Sequence, residues 1–194
     1  MYIANVNSNF NYLVVQIQPT EQDLPFGTNL QNYLQIDLIG LTQAVVTAEY
    51  SVFREAAFNN EVYFYKVDAD GKVDRFDPNT NIYQKSALDN LVKDAVTGEI
   101  VKFSAANQGV KSGTAQIETG SIIAPLIIVN GSLDQLTDSD SSNNPEIYFP
   151  YSGANADGVD HIRLLADNTF GFEDLPDGGD SDYNDLIVKI NFNI

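Results

Sequence analysis

The chain predicts an all-β protein: an antiparallel β-sandwich of jelly-roll-like connectivity with one short helix, in a single domain of residues 1–194. Runs of four to ten residues rich in Val, Ile, Tyr, Phe and Thr recur over nearly the whole length, punctuated by Asn, Asp, Gly and Pro. Only one segment carries its apolar residues at helical spacing. About a dozen short strands are best buried as two packed sheets. At 194 residues the chain is long enough for one substantial core, and no shift in composition divides it.

Taken in order, the β-rich runs Tyr12 to Gln18, Leu34 to Leu38, Ala44 to Phe53 and Glu61 to Val67 open the series. Asp68-Ala69-Asp70-Gly71 follows as a hairpin turn, because Asp and Gly tolerate the left-handed backbone that such turns require, and Val73 to Phe76 is the expected return strand. Leu88, Leu91, Val92 and Ala95 then fall at helical spacing behind Ser86, an N-cap residue type, and ahead of Gly98, which predicts a helix over Ala87 to Val96. Strands resume at Ile100 to Phe103, Thr114 to Glu118, Ile122 to Val129, Ile147 to Phe149 and His161 to Leu165. The last, Leu186 to Phe192, is the plainest: Leu186, Val188, Ile190 and Phe192 face one side while Lys189, Asn191 and Asn193 face the other.

Charge narrows the function classes. The formal net charge is -17, from 27 acidic and 10 basic residues, a field that repels phosphate backbones and anionic headgroups, so no nucleic-acid partner is expected. No apolar run reaches 18 residues, so no membrane insertion is expected, and the first residues lack the basic and apolar regions of a signal peptide. The absence of Cys removes disulfides, thiolate metal sites and cysteine nucleophiles. The acidity is also uneven, with thirteen Asp or Glu between Asp134 and Asp185 against a single Arg and no Lys. Like charge at that density opposes folding unless something offsets it, and a bound multivalent cation is the simplest candidate.

The segment Gly171-Phe172-Glu173-Asp174-Leu175-Pro176-Asp177-Gly178-Gly179-Asp180-Ser181-Asp182-Tyr183-Asn184-Asp185 concentrates the donors, seven of its fifteen residues being Asp, Glu or Asn. Calcium takes six to eight oxygen ligands from carboxylates, amide and backbone carbonyls and water, and this loop supplies each protein type. Asp180, Asp182 and Asn184 alternate along the chain, and Gly178 and Gly179 permit a bend that returns them toward Glu173 and Asp174. Asp185 sits where the final strand begins. The expectation is one or two calcium ions fastening this loop to the sandwich; the competing reading is that Asp, Asn and Gly are simply loop residues. The spacing is not that of an EF-hand. Asp68, Asp70 and Asp74 resemble half a calcium loop that a hairpin turn explains equally, and Asp138, Asp140, Asn143, Asn144 and Glu146 read as a solvated acidic loop.

Phe172-Glu173-Asp174-Leu175, Gly178-Gly179-Asp180 and Asp182-Tyr183-Asn184-Asp185 together closely resemble the C-terminal signature of the domain-of-unknown-function family 4114. Ala154-Asn155-Ala156-Asp157-Gly158-Val159-Asp160-His161-Ile162-Arg163-Leu164-Leu165 is similar to the same family, with Ala156 where a Pro is common, a departure that alters a turn. Looser similarity reaches Arg54-Glu55-Ala56-Ala57-Phe58-Asn59-Asn60, Tyr63-Phe64-Tyr65 and Ala124-Pro125-Leu126-Ile127-Ile128, so that the resemblance spans Leu38 to Phe192. It implies a calcium-associated module of large exported bacterial proteins, cyanobacterial ones among them, and hence a secreted or cell-surface location. Under it Glu55, at the end of a long strand, joins Glu173, Asp174, Asp180, Asp182, Asn184 and Asp185 as an expected ligand, against a plain surface pair with Arg54.

No catalytic constellation is legible, so an enzyme is not expected. His161 is the only histidine, which rules out a two-His metal site, and no nucleophile elbow accompanies it. The expected function is a calcium-binding, non-catalytic module supporting adhesion or assembly, with other surface proteins or glycans as partners. The alternative is a calcium-dependent carbohydrate-binding module, in which an incompletely coordinated ion accepts sugar hydroxyls beside some of the ten Tyr and eleven Phe.

Overall fold

The computed structural model describes residues 4–7 and 12–15 as backbone strands and residues 34–194 in full. Among the described residues seven strands form one sheet and four form a second, all pairing antiparallel, which is the expected all-β sandwich.

The larger sheet is organised by its last strand. β11 (Leu186–Asn193) pairs along one edge with β4 (Val45–Arg54) over its whole length, from Leu186 opposite Arg54 to Asn193 opposite Thr47, and β4 pairs in turn with β6 (Gly109–Glu118). Along its other edge β11 meets β10 (Thr169–Phe172) and then, at its far end, β2 (Tyr12–Val15). Beyond these lie β9 (Ile162–Ala166) and β1 (Ala4–Asn7). Alternation along β11 is as expected, since Leu186, Val188, Ile190 and Phe192 are buried and Lys189 is exposed.

The smaller sheet centres on β7 (Ile122–Ile128), with β5 (Glu61–Val67) on one edge and the short strands β3 (Ile36–Asp37) and β8 (Ile147–Tyr148) in succession on the other. Pro125 falls between the residues paired with β3 and those paired with β8, where a missing N–H breaks no ladder on that edge. Every residue of β7 is buried, because this sheet is covered twice. Val62, Phe64, Ile123 and Ile127 face the larger sheet and meet Val52, Phe170, Val188 and Phe192 in the main core. Tyr63, Tyr65, Ala124 and Leu126 face away, into a second cluster closed by α1 (Tyr83–Asp89), Phe149 and Tyr151. A strand buried on both faces loses alternation and reads as a continuous apolar run.

Three expectations are corrected here. The helix spans Tyr83–Asp89 instead of Ala87 to Val96: Ser86 lies inside it, donating its amide to the Ile82 carbonyl, and the chain is extended by Leu91 and Val92. Leu91 bridges Tyr65 and enters the outer cluster, whereas Val92 donates its amide to the Phe64 carbonyl and enters the main core. Adjacent residues reaching opposite layers is the two-residue period of a strand, which the apparent helical spacing concealed. Val73 to Phe76 is a tight turn closed by a Val73–Phe76 bridge, with Asp74 and Arg75 at positive φ. The Asp68 turn does form, with Asp68 Oδ1 accepting the Asp70 and Lys72 amides. Finally, β10 and a second short helix, α2 (Leu133–Thr137), had not been expected. Residues 16–18 of the expected first strand lie outside the described residues. No helix among the described residues is long and apolar enough to cross a membrane.

Candidate metal centre

One corner of the larger sheet gathers the acidic residues. β4 ends at Arg54, β10 ends at Phe172 and β11 begins at Leu186; the ladders pair Leu186 with Arg54 and Gly171 with Ile187. Glu173 and Asp174 therefore follow β10, and Asp185 precedes β11, on adjacent strands at the same end. The intervening chain leaves the sheet and returns as a tight loop, closed by a parallel bridge between Phe172 and Asn184. Its backbone is held in an unusual form: Asp177, Gly178, Gly179, Ser181 and Tyr183 all have positive φ. Left-handed backbone is unfavourable for a bulky residue. Tyr183 is kept there by its hydroxyl, which donates to the Asp160 carbonyl, and by the Arg163 guanidinium 4.0 Å from its ring centre.

Two groups of carboxylates result, and they share one residue. Glu173, Asp174 and Asp185 form an inner group; Glu173, Asp180 and Asp182 form an outer one. Within each, one ligand oxygen per residue lies within 4.8 Å of the others, the span of oxygens about a single ion at roughly 2.4 Å. Glu173 and Asp174 are buried, while Asp180 and Asp182 are exposed. Neutral donors fix the inner group. Asn60 Nδ2 donates to Asp174 Oδ2 at 2.7 Å, the Asp174 amide to Asp185 Oδ2 at 2.8 Å, and the Leu175 amide to Glu173 Oε1 at 3.4 Å. Each carboxylate is thus oriented through one oxygen.

Glu173 is only 1 % exposed, and its Oε2 is buried with no hydrogen-bond partner among the described residues. Burial, reinforced by the Asp185 carboxylate, pushes its pKa up to about 7. Burial also raises Asp174, partly opposed by the Asn60 hydrogen bond, with Asp185 adding to the rise and Arg54 acting against it. Arg54 is itself buried, with one N–H donated to Asn59 Oδ1 and Nε left without a partner. The corner therefore holds a buried anion and a buried cation, each incompletely satisfied, a state that costs stability unless further charge enters.

His161 braces this corner from behind. The Glu173 amide donates to the His161 carbonyl at 2.9 Å, His161 Nδ1 lies 3.1 Å from the Glu173 carbonyl, and Nε2 lies 2.8 Å from Asp157 Oδ2. The ring is fully buried and stacks on Tyr148 at a centroid distance of 3.5 Å. Burial works to raise Asp157, but the Val159 amide, His161 and the Asp177 amide outweigh it and hold its carboxyl below the usual range. Both imidazole nitrogens thus face oxygen atoms of the corner itself, which fixes the ring's orientation.

Five of the expected ligands, Glu173, Asp174, Asp180, Asp182 and Asp185, fall in the two groups. Asn184, an amide and so no member of these carboxylate groups, lies beside the outer one and donates its backbone N–H to Asp182 Oδ1 and its side chain to Asp182 Oδ2. Glu55 is adjacent only through its backbone, its N–H donating to the Asp185 carbonyl while its own side chain is exposed and in neither group. The loops at Asp68 and Asp138 contribute to no such group among the described residues. Asp138 and Asp140 accept amides of their own loop. Reasoning from sequence missed Arg54, Asn60 and Asp157. Arg54 and Asn60 stood in a segment noted for its similarity, and the signal available was their polarity beside apolar strands.

Residues 117–193 match the family model described as a domain of unknown function, DUF4114. The DUF4114 match takes in β7 through β11, and so all five grouped carboxylates together with His161. Arg54 and Asn60 lie upstream of it, as do the looser similarities expected at residues 54–60 and 63–65, whereas that at Ala124 to Ile128 falls within it. No curated protein and no solved structure matches the chain.

Proposed function

We infer that this protein is a calcium-binding, non-catalytic module whose bound ion fastens the acidic loop 175–184 to the corner of the sandwich. The observation that carries the reading is Glu173, a carboxylate buried with an unpartnered oxygen between further carboxylates on two sides. A hard divalent cation supplies both the missing partner and the missing charge. The donor set is all oxygen, which favours calcium or magnesium over softer metals, and the mixture of rigid strand-end carboxylates with a pliable loop favours the larger ion with its irregular coordination. An extracellular setting supplies the millimolar calcium that suits such sites. Support for a non-catalytic role comes from His161, whose ring nitrogens are both engaged in bracing the site.

The test is a melting curve in millimolar calcium, in millimolar magnesium and in excess chelator, with elemental analysis of the metal retained. Calcium at 10 to 100 times its dissociation constant adds about 1.4–2.7 kcal/mol, which is about 3–11 °C for a domain of this size. Asp185→Ala should erase most of that increment while changing the chelated protein far less. Identical curves in calcium and chelator would sink the reading.

A further inference from the structure

We propose that the centre is binuclear: an inner divalent ion held by Glu173, Asp174 and Asp185, and an outer one held by Glu173, Asp180 and Asp182, with the outer ion acting as the latch that orders the loop. This rests on the calcium reading above and adds number, order and consequence to it. The two carboxylate groups have Glu173 in common and no other residue, which is the arrangement of a bridging carboxylate between two cations. The independent sign that a ligand belongs there is Glu173 Oε2, buried and without a hydrogen-bond partner on the one residue that the groups share.

Charge distinguishes one ion from two. The five carboxylates of the groups carry five negative charges, and the buried Arg54, whose field reaches Asp174, carries one positive. One divalent ion leaves the corner at minus two; two ions bring it to zero. The groups also differ in accessibility, which sets the order. Glu173 and Asp174 are buried and pre-oriented by Asn60 and backbone amides, so the inner ion meets formed ligands. Asp180 and Asp182 are exposed on the stretch between the loop's two anchors, the Asp177 amide on Asp157 and the Tyr183 hydroxyl on the Asp160 carbonyl; within that stretch the Ser181 amide and hydroxyl donate only to the nearby Gly178 carbonyl, so the outer ion must fix its ligands as it binds. The inner ion binds first and tighter. The outer ion follows at higher calcium and ties residues 177–183 to Glu173.

Native mass spectrometry of the full chain across a calcium titration reads the stoichiometry, and amide hydrogen exchange over residues 177–183 in the same samples reads the latch. Two calcium ions should populate in succession, with exchange slowing only as the second appears. Asp182→Asn, at an exposed position, should stop binding at one ion and leave exchange fast at every calcium concentration; Asp180→Asn should do the same. Asp174→Asn should weaken the first ion at least tenfold. Saturation of the unaltered chain at one ion overturns the proposal, as does loss of both ions in Asp182→Asn. A chain that binds no calcium at all fails the calcium reading itself, a distinct outcome from one that stops at one ion.

Discussion

Glu173 is the residue on which the rest of the site turns, because its carboxylate is buried where water cannot solvate it and where Asp185 opposes its ionisation. Its raised pKa has a definite sign. A carboxyl that titrates near its ordinary value in the unfolded chain but at about 7 when folded holds its proton more tightly in the folded state. The metal-free protein is therefore most stable, as far as this group goes, below the ordinary carboxylate range, and loses that contribution as pH rises through about 7. The burial-raised carboxyl of Asp174 acts in the same direction. On the calcium reading proposed above the preference reverses, since binding an ion requires the ionised form and expels the proton. Calorimetry in buffers of different ionisation enthalpy should find proton release on calcium binding at pH 6 and almost none at pH 8.5, and an affinity that climbs with pH and levels off above about 7. A flat affinity between those values would remove Glu173 from the ligand set. Glu173→Gln tests the same physics without a pH change. At pH 8 in chelator the amide removes a buried charge, so the variant should melt higher than the unaltered protein; in calcium it should melt lower. Destabilisation by the same amount in both conditions would mean that the side chain serves only packing.

At the scale of single elements, the loop between β10 and β11 depends on a glycine for space as well as for conformation. Gly179 has a φ of 45°, and a Cβ added there would collide with Glu173 Oε1. Gly179→Ala should cost about 1–3 kcal/mol through backbone strain alone. Because the same methyl group displaces the shared carboxylate, it should also abolish the calcium-dependent rise in melting temperature. Strain without loss of calcium binding would show that the loop and Glu173 are independent. This element was largely legible in the sequence, since both ligand-rich ends and the glycine bend sit within fifteen consecutive residues ahead of an unmistakable strand. What could not be read there was contributed from far along the chain. Asn60 lies 114 residues from Asp174, and the polarity of Asn60 and Arg54 beside apolar strands marks them as unusual without indicating which distant residues they serve. Glu55 shows the limit from the other direction. It was placed correctly at the end of β4, but the neighbouring Arg54 is the residue turned inward. Leu91 and Val92 misled for a related reason: a strand buried on both faces offers apolar residues in sequence, and a few of them fall by chance at helical intervals.

Over the whole molecule, the net charge of -17 raises an alternative to any specific site, namely that calcium stabilises the fold merely as a concentrated counter-ion. The two effects respond differently to salt. Repulsion among exposed carboxylates fades as the screening length falls from about 30 Å at 0.01 M ionic strength to about 8 Å at 0.15 M, so sodium chloride alone should stabilise the chelated protein. The inner carboxylates are less open to that relief, because Glu173 and Asp174 are buried and diffuse salt screens buried charges much less than exposed ones. On the proposed reading their remedy is a divalent ion in direct contact. The increment in melting temperature produced by millimolar calcium should therefore persist at 0.15 M sodium chloride with most of its size. Diffuse counter-ion action would instead shrink the increment in step with the stabilisation that salt had already supplied, and magnesium at equal concentration would match calcium. Melting curves over a grid of sodium chloride against calcium, magnesium and chelator separate the two: a calcium increment that vanishes by 0.15 M salt would reduce the acidic corner to surface charge, and one that survives there while magnesium falls short assigns it to ligands of fixed geometry.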